Sequence, residues 1–99
     1  MNIPDNLNIL GNDYKIDFTE EAPEGCDNKL WMGRAYEDSQ RIVIKSTIPN
    51  HDKKIQTLFH EIAHIIMFES GVIVPEVLEE VLPQIMANGF YQVFKQISG

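Results

Sequence analysis

The chain lacks most features that mark secreted or membrane-bound proteins. Cys26 is the only cysteine among 99 residues, so no internal disulfide can form and a reducing compartment suits the protein. The longest apolar stretch, Ile62 to Phe68, is interrupted by His64 and is far shorter than the ~20 residues of a bilayer span. The N-terminus has no basic patch followed by an apolar segment, as a secretion signal would. We therefore expect a cytoplasmic protein that does not contact membranes.

Positive charge is also scarce. Eight Lys and Arg residues against fifteen Asp and Glu residues give a net charge of −7, and the basic residues form no cluster. Such a chain repels phosphate backbones, so direct nucleic-acid binding is not expected. Cys26 lies in a polar loop and is interpreted as an incidental thiol, not a nucleophile. Apart from these absences, 43% apolar and 23% charged residues are typical of a globular protein, and the length predicts one domain over residues 1–99.

Alternating apolar residues predict strands in the first half of the chain, residues 1–48. The predicted strands are 7–10, 14–18, 30–36 and 41–45. Turn-forming residues at 11–13 and 37–40 predict two hairpins. Three or four antiparallel strands would then form one small sheet.

The second half predicts two helices. Asn50 can cap the start of a helix over residues 51–69, and Gly71 can end it. With its two flanking residues this helical segment covers 50–70. Pro75 suits the first turn of a second helix that runs to residue 97. Pro83 interrupts this helix, because proline removes a backbone hydrogen bond, so either a kink or a new helix start is expected there. The predicted class is α+β, a sheet followed by two packed helices.

The sequence His60-Glu61-Ile62-Ala63-His64 fits the His-Glu-x-x-His pattern of zinc hydrolases. On a helix the two histidines lie one turn, ~6 Å, apart on one face and can bind one cation. Glu61 flanks that cation as a base for water. The surrounding run is apolar on nearly every face, where three polar side chains would be costly to bury without a purpose. We predict that His60 and His64 bind Zn²⁺ and that Glu61 is the catalytic base.

Catalytic zinc generally takes three protein ligands and leaves one position open. Glu69 follows His64 too closely on the same helix, and His51 precedes His60 by nine residues, so neither is well placed. The second helix must supply the third ligand, and the remaining candidates are Glu76, Glu79 and Glu80.

The metal motif, the Glu79-Glu80 pair and the segment 87–94 together resemble the small phage and prophage metallopeptidases related to the ImmA/IrrE-type family. The resemblance covers most of the chain, including the strands before the metal helix. It implies a minimal zincin-like fold. In that family's pattern a glutamate lies seven residues before the alanine of the second helix, and here Glu80 precedes Ala87 by that spacing. The resemblance therefore implies Glu80 as the third ligand on the 75–97 helix, with Glu79 as the alternative. Family members usually have an aliphatic residue at the position of Pro83 and often an acid at that of Gln84.

These residues predict zinc-dependent hydrolysis of peptide bonds. The resemblance implies a regulatory or repressor protein as substrate. The alternatives are a non-catalytic protein-binding module that retains the fold and a hydrolase of small molecules. Glu61 favours catalysis, because a structural zinc site needs no base. An extended substrate could lie beside strand 30–36. Trp31 could line the substrate cleft or pack in the core. The candidates for the donor that stabilises the oxyanion are Tyr36, Tyr91 and His51, and the sequence does not distinguish them. The sequence does not predict an oligomeric state.

Overall fold

The structure is a computed structural model that describes residues 2–23 and 31–98. It confirms the predicted α+β class: a four-stranded sheet precedes two packed helices. Cys26, residues 24–28 of its predicted loop and the first residue of the predicted strand 30–36 lie outside the described residues. The elements are β1 (Asn6–Ile9), β2 (Asn12–Thr19), β3 (Gly33–Tyr36), β4 (Arg41–Lys45), α1 (His51–Glu69), a 3₁₀ turn (Glu76–Leu78) and α2 (Val81–Ser98).

The sheet is mixed, which corrects the prediction of a purely antiparallel one. Both predicted hairpins form, since β1 pairs antiparallel with β2 and β3 pairs antiparallel with β4. The hairpins then join through β2 and β4, which run parallel, and the strand order is β1-β2-β4-β3. Hairpin signals in a sequence specify only neighbouring strands, so they could not predict how the two hairpins meet. This order leaves β3 at an edge of the sheet.

The first hairpin reverses slightly earlier than the sequence predicts. Leu10 and Gly11 have φ values of +51° and +91°, a pair of positive values that matches the twist of a two-residue hairpin turn. The Asn8 side chain accepts a hydrogen bond from the Gly11 N–H at 3.0 Å. Asn12, predicted as part of the turn, is already the first residue of β2.

The core lies between the sheet and α1. Tyr14, Ile42 and Ile44 from the sheet have no exposed surface and pack with Leu58 and Ile65 of α1. Burial of such side chains contributes ~1.5–3 kcal/mol each. This packing fixes which face of α1 is directed at the sheet.

Helix α1 has the predicted bounds, 51–69. The Asn50 side chain accepts hydrogen bonds from the N–H groups of Asp52 and Lys53 at 2.8 and 3.3 Å, which satisfies two donors of the first turn. Beyond the other end, Gly71 takes a φ of +69°, which favours glycine. The local signals in the sequence were therefore sufficient for this element.

The second helix differs from the predicted 75–97 span. A 3₁₀ turn occupies Glu76–Leu78, and α2 starts at Val81, so Pro83 lies in its first turn. A proline is tolerated there because the N–H it lacks has no partner in a helix start. Of the two outcomes expected at Pro83, the structure has the new helix start. Glu80 consequently precedes α2 and is not part of the helix.

The two helices pack through aromatic and small side chains. The Phe59 ring lies 6.2 Å from that of Tyr91 and 5.9 Å from that of Phe94, within the range of favourable ring contacts, and Ala87 is buried between the helices. Neither helix, over the residues described, is long and apolar enough to cross a membrane.

Candidate metal centre

Three predicted ligands converge at the start of α2. The Nε2 atoms of His60 and His64 lie 3.1 Å apart, as expected for one face of α1. Glu80 reaches both histidines from the segment before α2, with Oε2 3.1 Å from His60 Nε2 and Oε1 3.3 Å from His64 Nε2. One donor atom from each residue lies within 4.8 Å of those of the other two.

These spacings suit a small divalent cation. Two donors at ~2.0–2.1 Å from a tetrahedral zinc are ~3.3 Å from each other. The two Nε2 atoms lie 3.1 Å apart, and each lies 3.1–3.3 Å from a different oxygen of Glu80. Two imidazoles and one carboxylate are also a ligand set found in catalytic zinc sites. The residues present therefore fit zinc.

Gln84 and Asn88 orient one of the histidines. Gln84 Nε2 donates to Asn88 Oδ1 at 2.9 Å, which directs the amide oxygen of Gln84 at His60 Nδ1, also 2.9 Å away. Nδ1 must then carry the proton, because an amide oxygen only accepts. This tautomer leaves the lone pair of His60 on Nε2, the atom directed at Glu80 and His64.

Glu61 is buried beside the three ligands. Only 7% of its surface is exposed, and its carboxylate accepts a hydrogen bond from the Ala35 N–H of β3. Burial, followed by the carboxylates of Glu80 and Glu37, raises the pKa of Glu61 to about 8, while the Ala35 N–H and Arg34 act in the opposite direction. A divalent cation held by the ligands would also oppose this rise.

His60, Glu80 and Glu61 face an open cleft of about 370 Å³ between α1 and the edge strand β3, and His64 lines the depression that adjoins it. The two walls approach closely at Gly33, since a Cβ built there would lie 2.7 Å from Thr57 Cγ2 and 3.4 Å from Glu61 Cγ. The described residues that line the cleft are Trp31, Met32, Gly33, Lys53, Gln56, Thr57, His60, Glu61, Glu80 and Gln84. A second depression continues along β3 past Gly33 as far as Glu37.

The other candidate ligands lie elsewhere. Glu79, the alternative to Glu80, is outside the group of three donors, although it lines a depression that His64 and Glu80 also line. Glu69 accepts hydrogen bonds from Tyr14 and Asn12 instead. The structure thus brings together Glu80 and the two histidines, and no other acid among the residues described joins them.

The aromatic candidates also separate. Trp31 lines the cleft. Tyr91 packs against Phe59, and the Tyr36 ring lies beneath the guanidinium groups of Arg34 and Arg41 at 5.1 and 5.3 Å. Neither tyrosine is among the cleft-lining residues described, nor is His51, the first residue of α1. The structure therefore assigns no oxyanion donor among the three candidates.

Among the residues of the cleft wall that the sequence prediction missed is one cation, Lys53. Lys53 lies seven residues before His60 and four before Thr57, a spacing that places all three on one face of a helix. That spacing was visible in the sequence, but the wall opposite it is formed by β3, whose position depends on the sheet topology.

Comparison with known proteins adds no relative: the scan of protein-family models, the search of curated proteins and the search of solved structures each returned no match. The resemblance to ImmA/IrrE-type metallopeptidases therefore depends on the residues of this chain alone.

Proposed function

We propose that this protein is a zinc-dependent metalloendopeptidase. The observation that carries the proposal is the convergence of His60, His64 and Glu80 from two separate elements beside the buried carboxylate of Glu61. A structural zinc site closes its fourth position with another Cys or His. The ligand group found among the described residues contains neither a cysteine nor a third histidine, which supports a catalytic role.

In the proposed reaction His60, His64 and Glu80 hold the metal. Zinc held there would lower the pKa of a water molecule toward ~7 and polarise the carbonyl of the peptide bond. Glu61 accepts a proton from water and transfers it to the leaving amine. Its hydrogen bond from the Ala35 N–H fixes the direction of the carboxylate, so the proton acceptor is already positioned before substrate binds.

The edge of β3 supports an extended peptide as substrate. The Met32 carbonyl accepts a hydrogen bond from the Lys45 N–H at 2.7 Å, so the backbone groups of alternate residues from Met32 face β4. Those of Gly33 and Ala35 face the cleft. The Ala35 N–H is used by Glu61, while Gly33 can pair with a substrate strand. Such pairing needs no particular side chains, and an open cleft favours a peptide over a small molecule.

The resemblance to phage and prophage metallopeptidases adds the proposed substrate class, a regulatory or repressor protein of the cytoplasm. The net charge of −7 favours a protein over a nucleic acid as partner. Zinc binding without cleavage by the wild-type protein would instead favour the non-catalytic binding module.

The test is metal analysis together with cleavage of a proteome-derived peptide library. We expect Glu61→Gln to keep stoichiometric zinc and to lose turnover, since the ligands are intact but the proton acceptor is gone. Glu80→Ala should lose zinc affinity, and Glu79→Ala is the matched control that should retain it. Full turnover in Glu61→Gln, or zinc loss in Glu79→Ala but not in Glu80→Ala, would contradict the assignments.

A further inference from the structure

Lys53 lies in the same cleft as the metal ligands but has no part in the chemistry proposed above. It precedes His60 by seven residues on α1, which places it two turns, ~10 Å, from that ligand on the same helix face. Both side chains line the cleft. An extended peptide advances ~3.3 Å per residue, so this separation corresponds to about three residues of a bound substrate.

Within residues 2–23 and 31–98, no acid forms an ion pair with the ammonium group of Lys53. Lys53 is the one cation among the cleft-lining residues described, and it is exposed. The ion pairs found between described residues do not include it. Its nearest acidic neighbour in sequence, Asp52, is paired with Lys95 at 3.5 Å and hydrogen-bonded to Tyr91. An anion in the cleft would therefore not compete with that carboxylate for Lys53.

Negative charge dominates the opposite end of the cleft. Glu37 lines the continuation along β3, and Glu79 lies in the adjoining depression. Arg34 also lines this end, but its guanidinium lies over the Tyr36 ring at 5.1 Å. A substrate carboxylate would be repelled there by two acids and attracted by one cation. The cleft is thus polarised, with its anion-binding end at Lys53.

We propose that Lys53 selects peptide substrates that carry an acidic side chain about three residues from the cleaved bond. The inference rests on the proposed peptidase function. Trp31 and Met32 form the wall next to Gly33, so the residues between the acid and the cleaved bond lie against an apolar surface. The charge of Lys53 then determines which end of an extended peptide lies toward the start of α1.

The test uses the zinc-loaded full-length protein and a proteome-derived peptide library, with cleavage sites identified by mass spectrometry. The wild type should enrich Asp and Glu about three- to fivefold at one or two adjacent positions near the third residue from the cleaved bond, as expected for one partly exposed ion pair. Lys53→Met, which keeps the apolar stem, should remove the enrichment. Lys53→Glu should replace it by enrichment of Lys and Arg. Raising the salt to 0.5 M should weaken the wild-type preference.

Lys54→Met is the matched control, because the Lys54 ammonium lies over the Phe18 ring at 5.7 Å and does not line the cleft. It removes the same charge from the same turn and should leave the preference unchanged. Cleavage without acidic enrichment, or with enrichment that persists in Lys53→Met, would overturn the role of Lys53 and leave the peptidase proposal intact. A zinc-loaded wild type that cleaves no peptide would overturn both.

Discussion

Gly33→Ala should destabilise the protein through one methyl group. A Cβ at this position would lie 2.7 Å from Thr57 Cγ2 and 3.1 Å from the Val43 carbonyl oxygen. The first distance is well inside van der Waals contact, and Thr57 cannot move freely because its hydroxyl donates to the Lys53 carbonyl at 2.8 Å. Helix α1 and β3 must therefore separate or Thr57 must change rotamer, and overpacking of this kind costs ~1–3 kcal/mol. For a domain of this size, that lowers Tm by roughly 4–24 °C.

A second substitution, Thr57→Ser, tests whether the contact with Thr57 Cγ2 causes the destabilisation. Serine retains the hydroxyl but lacks the Cγ2 atom, so the double variant should recover more than half of the lost free energy of unfolding. Urea denaturation of the wild type, both single variants and the double variant gives the coupling energy directly. Additive effects of the two substitutions would refute the contact as the source of the strain.

Gly89→Ala is the matched control for Gly33→Ala. Gly89 lies inside α2, and a Cβ there meets nothing within 4 Å. The substitution should stabilise the protein by ~0.5–1 kcal/mol, because alanine favours the helix. Destabilisation by Gly89→Ala would show that the two glycines cannot be distinguished by the space around them.

Two further predictions concern Tyr14 and Gln84. Burial, followed by the hydrogen bond to Glu69, raises the pKa of Tyr14 in the folded protein to about 12 from 10.0. As the pH rises, Tyr14 therefore ionises in the unfolded state before it ionises in the folded state. About 2–3 kcal/mol of stability that is present below pH 10 should be lost by pH 12. Urea denaturation at pH 9 and pH 11.5 should show this loss in the wild type, and an equal loss in Tyr14→Phe would contradict it. Gln84→Leu removes the acceptor of His60 Nδ1 and should weaken zinc binding ~10–100-fold in a chelator competition. Gln84→Glu keeps an acceptor and should bind zinc at least as tightly as the wild type; equal affinity of Gln84→Leu would show that the hydrogen bond does not orient the ligand.

Local signals in the sequence were enough for α1. Asn50 and Gly71 set its ends, and the spacing of His60 and His64 set their common face. These features depend on neighbouring residues only, so periodicity and capping rules apply to them directly. The two hairpins were predictable for the same reason.

The remaining features depend on contacts between distant parts of the chain. The parallel pairing of β2 with β4 joins Lys15 to Arg41, and no local pattern encodes it. The sequence did not determine where α2 starts, because Pro83 was compatible with either a kink or a new helix start. Glu80 was chosen by resemblance, and only the restart of the chain at Val81 explains how an acid outside the helix reaches both histidines. Lys53 could be recognised as a residue of the cleft only once β3 was known to lie opposite it.

The carboxylate of Glu69 anchors the C-terminal end of α1. It accepts hydrogen bonds from Tyr14 at 2.9 Å and Asn12 at 3.1 Å, which hold the C-terminus of α1 to the first hairpin although no basic residue lies in its last turn. The other end of α1 contacts both neighbours: Asp52 pairs with Lys95 of α2 at 3.5 Å, and the Lys54 ammonium lies over the Phe18 ring of β2 at 5.7 Å. Both ends of α1 are therefore held to the sheet, so His60 and His64 should keep their positions when a peptide enters the cleft.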